Sequence, residues 1–210
     1  MVRQAGTSVA TFPCDVSKAE EISKTFAAIA KGWSSVDVLI NNAGTNVRTR
    51  ALEVTDEWEA ILQTNLGSAF HCSCAAARLM MEGKQGGRII NIASVAGVTA
   101  VDTGTPYAAS KAGMSGMARA LALEWGEHAI TVNCIAPWYF RTPLTAPVLD
   151  DPEILRRVLK RTPLGRVGEL KDLVGTAIYL ASEAGAYVTG QTIVVDGGMT
   201  IFGYSPYTED

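Results

Sequence analysis

The hydrophobic positions of the chain alternate between short apolar runs and longer amphipathic stretches. The apolar runs predict strands at Ser8–Cys14, Val36–Asn41, Arg88–Ala93, Ile130–Ile135 and Thr192–Asp196. Apolar residues at helical spacing predict helices at Lys18–Lys31, Asp56–Met81 and Pro106–Glu127, with short helices between Pro147 and the last strand. Strands separated by helices of this length predict an α/β fold, with a parallel sheet covered by helices on both faces.

Three local patterns refine this prediction. The run VDVLIN at Val36–Asn41 is almost unbroken, which is typical of a strand buried on both faces. Asp56 and Glu59 have nearly the spacing of a capping box at the start of the second long helix. Asn65 stands in the middle of that helix, where asparagine competes for backbone hydrogen bonds. It is either an exposed or locally bonded side chain or a functional one.

Composition and charge narrow the class of protein. At 210 residues, the chain suits a single domain spanning residues 1–210. A net charge of -3 without a basic run gives no electrostatic footprint for nucleic acid, and no apolar run approaches the ~20 residues of a membrane helix. Four cysteines with no paired histidines predict free thiols in a reducing compartment rather than a metal site. The expected location is cytoplasmic, with an upstream transit peptide left open.

Small and polar residues follow the predicted strands. They are Asp15 and Val16, the segment Asn41–Gly44, Ser94, and Pro137 with Trp138. Ligands of open parallel sheets bind at the carboxyl ends of the strands, so these segments are candidates for one common site.

Tyr107 and Lys111 stand four residues apart in the segment TPYAASKAG. On a helix this spacing places both side chains on one face. A phenol titrates near pH ~10, and a neighbouring ammonium lowers that pKa. The pair therefore has the chemistry of a proton-transfer site, although the same spacing also occurs in ordinary helices.

Five motifs in order resemble the short-chain dehydrogenase/reductase family. They are NNAG (41–44), TNL (64–66), IASVAG (92–97), YAASK (107–111) and VTGQTIVVDGG (188–198), and the resemblance covers nearly the whole chain. Within the family, INNAGTN, ALALEWGEHAITVNCIAP and TPLGRVGE resemble the tropinone-reductase-like group. The resemblance implies a Rossmann-like doubly wound parallel sheet. It also implies an NAD(P)-dependent oxidoreductase that interconverts a carbonyl and a secondary alcohol.

The resemblance further implies a catalytic tetrad of Asn65, Ser94, Tyr107 and Lys111. Tyr107 would exchange a proton with the substrate oxygen, and Ser94 would donate a hydrogen bond to the same oxygen. Lys111 would lower the pKa of Tyr107 and hold the nicotinamide ribose. Asn65 would hold a water that links Lys111 to solvent.

The same resemblance implies cofactor and substrate contacts. The cofactor, NADP(H) rather than NAD(H) and without a metal, would contact Asp15, Val16, Asn42, Ala43, Gly44, Tyr107, Lys111, Pro137 and Thr142. The substrate would contact Ser94, Tyr107, Trp138 and Tyr139, under a lid formed by residues 138–165. Trp138 replaces the glycine usual in the family, either as tolerated drift or as an apolar wall. The aromatic mouth favours a small apolar or cyclic ketone over a charged sugar acid.

The glycine-rich turn with which the family begins, TGxxxGxG, has no counterpart in the sequence. The glycines at 83–87 follow a predicted helix, and those at 165–168 follow a loop, so neither has the required context. We therefore expect the chain to be a fragment that lacks the first two strands. Ser8–Cys14 would then have no neighbour, and the edge of Val36–Asn41 would be bare.

Two alternative functions stay open, a 3-oxoacyl-thioester reductase of the same family and a cofactor-free fragment that acts only as an interaction partner. The helices at Asp56–Met81 and Pro106–Glu127 match those through which the family pairs its subunits, which implies a homodimer or homotetramer. His71 and His128 are given no role. The tail Tyr204–Asp210 is short and polar and is expected to be mobile.

Overall fold

A single parallel sheet forms the centre of the fold. The computed structural model describes residues 8–33, 35–143 and 145–203. Within these ranges four strands are hydrogen-bonded in chain order: β1 (Val38–Asn41), β2 (Gly87–Ile92), β3 (Ile130–Pro137) and β4 (Thr192–Val195). The predicted α/β fold with a parallel sheet is thereby confirmed. The predicted tail Tyr204–Asp210 lies outside the described residues.

The helices lie between and after the strands. They are α1 (Ala19–Gly32), α2 (Glu57–Leu62), α3 (Ser68–Gly83), α4 (Thr105–Trp125), α5 (Ala146–Leu149), α6 (Pro152–Lys160) and α7 (Leu170–Ala181). The predicted helix Asp56–Met81 is therefore two helices, joined by a π-helical turn at Gln63–Gly67. None of the described helices is long and apolar enough to cross a membrane.

The start of α2 differs from the predicted capping box. Asp56 already has a helical backbone and its side chain makes no capping hydrogen bond. The carboxylate of Glu57, the first residue of α2, instead accepts hydrogen bonds at 2.9 Å from both the amide and the hydroxyl of Thr55, which precedes the helix. The predicted capping box at Asp56 and Glu59 is therefore not formed.

The core lies on both faces of the sheet. Ile89 of β2 packs with Met80 of α3 and Ala118 of α4 in the larger apolar cluster. Its neighbour Ile90 points to the opposite face and packs with Leu180 of α7. Successive residues of a strand face opposite sides, so β2 contributes to both clusters. Full burial of one such side chain stabilises the fold by about 1.5–3 kcal/mol.

Strand β1 is less enclosed than its apolar sequence predicts. Leu39 packs against the cluster of α3 and α4, but Val38 and Ile40 on the other face are 38% and 49% exposed. The prediction of burial on both faces is wrong because α7 packs over β2, β3 and β4 and leaves this face of β1 open. At its carboxyl end, Asn41 holds the strand by donating hydrogen bonds to Asn91 Oδ1 (2.8 Å) and to Ser73 Oγ (3.0 Å).

The segment Ser8–Cys14 was predicted to be a strand and is not one. It has no regular secondary structure, and none of the described strands pairs with it. A strand requires a hydrogen-bonded neighbour, so the apolar pattern alone does not produce one. Its contact with the rest of the fold includes an edge-to-face packing of Phe12 on Trp33, with ring centroids 6.3 Å apart. That the chain is a fragment of a longer reductase stays a prediction.

Candidate active site

Ser94, Tyr107 and Lys111 meet where β2 ends and α4 begins. Ser94 follows β2 and caps a short 3-10 turn, Val95–Gly97, by accepting a hydrogen bond from the Ala96 amide (3.1 Å). Tyr107 and Lys111 lie one turn apart on α4, with the Lys111 ammonium 5.7 Å from the centre of the Tyr107 ring. The structure therefore brings together three of the four side chains that the sequence assigned to catalysis.

The 3-10 turn lies directly on α4 because residue 97 is glycine. A Cβ atom at Gly97 would be 2.6 Å from the carbonyl carbon of Lys111 and 2.7 Å from the amide nitrogen of Ala112. No larger residue fits there without moving one of the two backbones. Gly97 thus sets the distance between the turn that carries Ser94 and the helix that carries Tyr107.

Asn65 is fully buried in the π-helical turn. Its amide nitrogen donates to the Thr45 carbonyl (2.9 Å) and to Ser110 Oγ (3.0 Å), and its Oδ1 accepts from the Thr45 amide (2.8 Å). The side chain thus connects the loop after β1 to α4. Asn65 is therefore neither exposed nor bonded only to its own helix. π-helical turns of this kind are frequent at functional sites.

Lys111 is buried beneath the site. It is 4% exposed, and its ammonium donates a hydrogen bond to the Ile92 carbonyl at 2.7 Å. Burial lowers the pKa of Lys111 to about 8. A Cβ atom at Gly44 would lie 3.6 Å from the Lys111 nitrogen and 3.3 Å from Asn65 Oδ1. The backbone after β1 therefore approaches both side chains closely.

The phenol of Tyr107 is controlled mainly by its burial. Burial raises the pKa of Tyr107, and the hydrogen bond with Ser94 opposes that rise. Tyr139 is near enough to raise the pKa further. Lys111 is held at the Ile92 carbonyl and is not among the groups that shift the Tyr107 pKa in this structure.

A cavity of about 230 Å³ opens beside these residues. All four predicted substrate contacts line it: Ser94, Tyr107, Trp138 and Tyr139. The rings of Trp138 and Tyr139 pack edge to face with centroids 4.6 Å apart. The side chains of Ser94 and Tyr107 thus line the same cavity as the packed aromatic rings of Trp138 and Tyr139.

The predicted cofactor contacts at the start of the chain lie apart from this cavity. The exposed Asp15 carboxylate accepts hydrogen bonds from the amide (3.0 Å) and hydroxyl (2.7 Å) of Ser17, which lower its pKa. Val16 is the residue between them in this turn. Gln63 donates a hydrogen bond to the Ser17 carbonyl (3.1 Å), so the loop lies beside the π-helical turn.

The other predicted cofactor contacts lie at strand ends. Asn42, Ala43 and Gly44 form an exposed segment directly after β1, and Pro137 is the last residue of β3. Thr142 hydrogen-bonds with Thr145 just before α5. Among the described residues no three His, Cys, Asp or Glu side chains are grouped to hold a metal ion.

The sequence did not single out the polar residues of the cavity. Asn46, Arg48 and Thr103 line it together with Val101 and Val148. Asn46 and Arg48 lie in the polar segment TNVRTR directly after NNAG, at the carboxyl end of β1. Their position after a strand was the available signal, because ligand sites of this fold occur there.

The chain is similar to known proteins in sequence and in structure. The family model described as Enoyl-(Acyl carrier protein) reductase matches residues 1–200. A tropinone reductase homolog from Arabidopsis thaliana is 39% identical over 95% of this chain and 76% of its own length. Gluconate 5-dehydrogenase from Gluconobacter oxydans (strain 621H) is 36% identical over 93% of this chain and 77% of its own. A gluconate 5-dehydrogenase from Burkholderia cenocepacia J2315, solved in complex with NADP and tartrate, superposes with a TM-score of 0.91 at 35% identity, over 96% of this chain and 79% of that one.

Proposed function

The chain belongs to the short-chain dehydrogenase/reductase family and is an oxidoreductase that uses a nicotinamide cofactor, and from this premise we propose that it interconverts a carbonyl and a secondary alcohol through Asn65, Ser94, Tyr107 and Lys111. One observation carries the proposal. The hydroxyls of Ser94 and Tyr107 line the same small cavity, with the buried Lys111 next to the Tyr107 ring.

Ser94 and Tyr107 would act on the substrate oxygen. Both hydroxyls donate hydrogen bonds to it, and Tyr107 transfers its proton to it when the carbonyl is reduced. The raised pKa of Tyr107 keeps the phenol protonated at neutral pH, which suits the direction of reduction. In alcohol oxidation the same phenol, as phenolate, accepts the proton, and the ammonium of Lys111 stabilises that charge.

The residues around Lys111 fit a nicotinamide nucleotide, which supplies or accepts the hydride when bound. The Lys111 ammonium has three N–H donors, of which Ile92 uses one, so two remain for ribose hydroxyls. The backbone of Asn42–Gly44 is exposed and approaches Lys111 at Gly44. We assign Asp15, Val16, Pro137 and Thr142 to the same nucleotide site. The NADP in the solved relative supports NADP(H) over NAD(H).

Asn65 would support the transfer of protons between Lys111 and solvent. Its Oδ1 accepts one hydrogen bond from Thr45 and retains a second lone pair. A water between this oxygen and the Lys111 ammonium would connect the ammonium to solvent. The contacts of Asn65 to Thr45 and Ser110 fix both sides of that path.

Residues 138–165 would close over the substrate. Val148 and Thr145 of this segment line the cavity, and Trp138 donates a hydrogen bond to the buried Thr162 hydroxyl at 3.1 Å. Trp138 and Val101 give the cavity an apolar side. A small or cyclic ketone with an apolar body therefore suits it.

A 3-oxoacyl-thioester is the second candidate substrate. The matching family model is described as Enoyl-(Acyl carrier protein) reductase, a name that favours an acyl-thioester substrate but refers to a carbon–carbon double bond rather than a 3-oxo group. Turnover of an acyl-thioester without turnover of a cyclic ketone would select this alternative.

Homo-oligomer formation is proposed through the outer surface of α2, α3 and α4. Trp58, Leu66, Phe70, Gly113 and Met117 line an apolar groove there, with Trp58 and Phe70 39% and 43% exposed. Covering such a groove with a second copy would remove apolar surface from water. The proposed oligomer is a dimer or a tetramer. Its proposed location is the cytoplasm.

Replacing Tyr107 with Phe tests the catalytic assignment. The variant keeps the ring but removes the proton, so we expect the rate of cyclic ketone reduction to fall by at least ~100-fold, the usual scale of acid catalysis. NADPH consumption measures it, and Tyr187→Phe, a fully exposed tyrosine, is the matched control. Retained turnover in Tyr107→Phe would refute the assignment.

A thermal melt with saturating NADPH or NADH separates chemistry from nucleotide binding. At a hundred times its dissociation constant a nucleotide adds ~2.7 kcal/mol of stability, and we expect the same shift for Tyr107→Phe and the unchanged chain. No shift in either protein would favour the cofactor-free interaction partner instead.

A further inference from the structure

Arg48 lines the cavity, and its guanidinium forms no ion pair with a carboxylate among the described residues. Its hydrogen-bond partner among the described residues is the hydroxyl of Tyr139, at 2.8 Å. Five of the described arginines form ion pairs, among them Arg141 with Asp150 (2.7 Å) and Arg166 with Asp172 (2.6 Å). A guanidinium carries five N–H donors, so most of those of Arg48 remain available.

Tyr139 sets the position of this guanidinium relative to the reacting groups. Its hydroxyl accepts from Arg48, and Tyr139 lines the same cavity as the phenol of Tyr107. Its ring packs against Trp138, which is itself held by the buried Thr162. Arg48 is thereby held on the same cavity as Ser94 and Tyr107, one aromatic residue away from the site of proton transfer.

Asn46 makes the same wall of the cavity polar. Its amide nitrogen donates to the Thr103 hydroxyl at 2.9 Å, and Thr103 lines the same cavity. The Oδ1 atom of Asn46 is buried, so a compound in the cavity does not reach it. The wall therefore offers a bound compound the cation of Arg48 together with the apolar surface of Trp138.

We propose that Arg48 is a carboxylate-binding subsite and that the preferred substrate is an oxo acid with an apolar body. Its carbonyl oxygen lies at Ser94 and Tyr107, and its carboxylate accepts paired hydrogen bonds from Arg48 in the geometry that guanidinium favours. The inference rests on the proposed carbonyl reduction. It changes the expected substrate from a neutral ketone to a ketone that also carries a carboxylate.

A matched pair of substrates tests the subsite. 4-Oxocyclohexanecarboxylate and its neutral carboxamide share a ring and a ketone and differ in charge. The unchanged chain should reduce the acid with a kcat/KM at least 10-fold above that of the amide. Arg48→Gln should lower kcat/KM for the acid by about 10- to 30-fold and leave that for the amide within about 3-fold, the scale of one charged hydrogen bond.

Three controls separate the outcomes. Arg50→Gln, two residues away in the same loop, should keep the preference for the acid. Arg48→Lys should retain part of it. Equal losses for acid and amide in Arg48→Gln, or no preference in the unchanged chain, would overturn the subsite while leaving carbonyl reduction intact. A rise in KM for NADPH alone would assign Arg48 to the nucleotide and overturn it as well.

Binding without turnover gives an independent result. Calorimetric titration with cyclohexanecarboxylate should show binding to the unchanged chain and to Arg50→Gln, and at least 10-fold weaker binding to Arg48→Gln. Equal affinity for all three would overturn the subsite. Binding that depends on Arg48, together with no reduction of either ketone, would keep the subsite and refute the proposed function.

Discussion

The ammonium of Lys111 is held in the fold at a cost in stability. Its pKa falls from the ordinary lysine value of 10.5 to about 8 because burial disfavours the charged form. Below pH 8 the lysine is charged in both the folded and the unfolded chain, so the full cost of burying the charge is present. Between pH 8 and 10.5 the folded chain binds fewer protons than the unfolded one, so stability rises with pH.

Lys111→Met should therefore stabilise the chain while removing its activity. The variant avoids burying a charge, and we expect its free energy of unfolding at pH 7 to rise by about 1–3 kcal/mol, reduced by the lost bond to Ile92. The gain should vanish as the pH rises from 8 to 10.5. Urea unfolding at several pH values measures it, with the exposed Lys31→Met as control. A gain that persists above pH 10.5 would contradict the explanation.

Single residues differ in how far the sequence predicts them. Helical spacing marked Tyr107 and Lys111 as candidates and the end of a strand marked Ser94, whereas their catalytic roles are what the resemblance to the family implies. Arg48 was missed because an arginine in a polar loop has no periodicity, and its exposure gives no sign that it faces a cavity. The burial of Asn65 was missed because one extra residue in a helical turn does not disturb the apolar pattern around it.

The turn that carries Ser94 is joined to α4 by direct backbone contact. The turn Val95–Gly97 meets α4 at Gly97, where the backbone atoms of Lys111 leave no space for a Cβ atom. Helix and strand positions were predicted within a few residues because periodicity carries that information. The close contact between the turn Val95–Gly97 and α4 was not predicted, because it depends on packing across the fold.

Gly97→Ala should separate the turn from the helix. The added methyl would meet backbone only, so we expect a loss of about 1–3 kcal/mol in the free energy of unfolding. The rate of reduction should fall by at least ~10-fold, because Ser94 moves away from Tyr107. Gly116→Ala on the same helix, where the nearest atom is the end of the Arg119 side chain at 3.9 Å, should instead stabilise by up to about 1 kcal/mol. Similar effects of the two substitutions would contradict this account.

At the scale of the whole molecule, apolar side chains are exposed in several regions of the described residues. They include the groove of α2, α3 and α4, the open face of β1 with Val38 and Ile40, and the outer face of α7 with Leu170, Val174 and Ile178. The sequence predicted that the edge of β1 would be bare, but not that one face would be open as well. An apolar strand pattern indicates that a residue prefers burial. It does not indicate which element covers that residue.

Phe70→Glu should dissociate the proposed oligomer. A carboxylate in the groove would have to be buried against the partner copy, which is unfavourable without a counter-charge. Light scattering after gel filtration should show a smaller assembly than for the unchanged chain, while Leu52→Glu, a fully exposed position outside the groove, should not alter it. An unchanged mass for Phe70→Glu would refute this interface.

The strands that lead to the proposed site are not equally enclosed. β2 and β3 are packed with apolar side chains on both faces, and Ser94 follows β2 in that enclosed part. The loop Asn42–Gly44 continues from a strand with one open face, which Asn41 anchors to Asn91 and Ser73. We therefore expect this loop to shift more readily than the end of β2 when a large ligand binds, so that the position of Ser94 is kept.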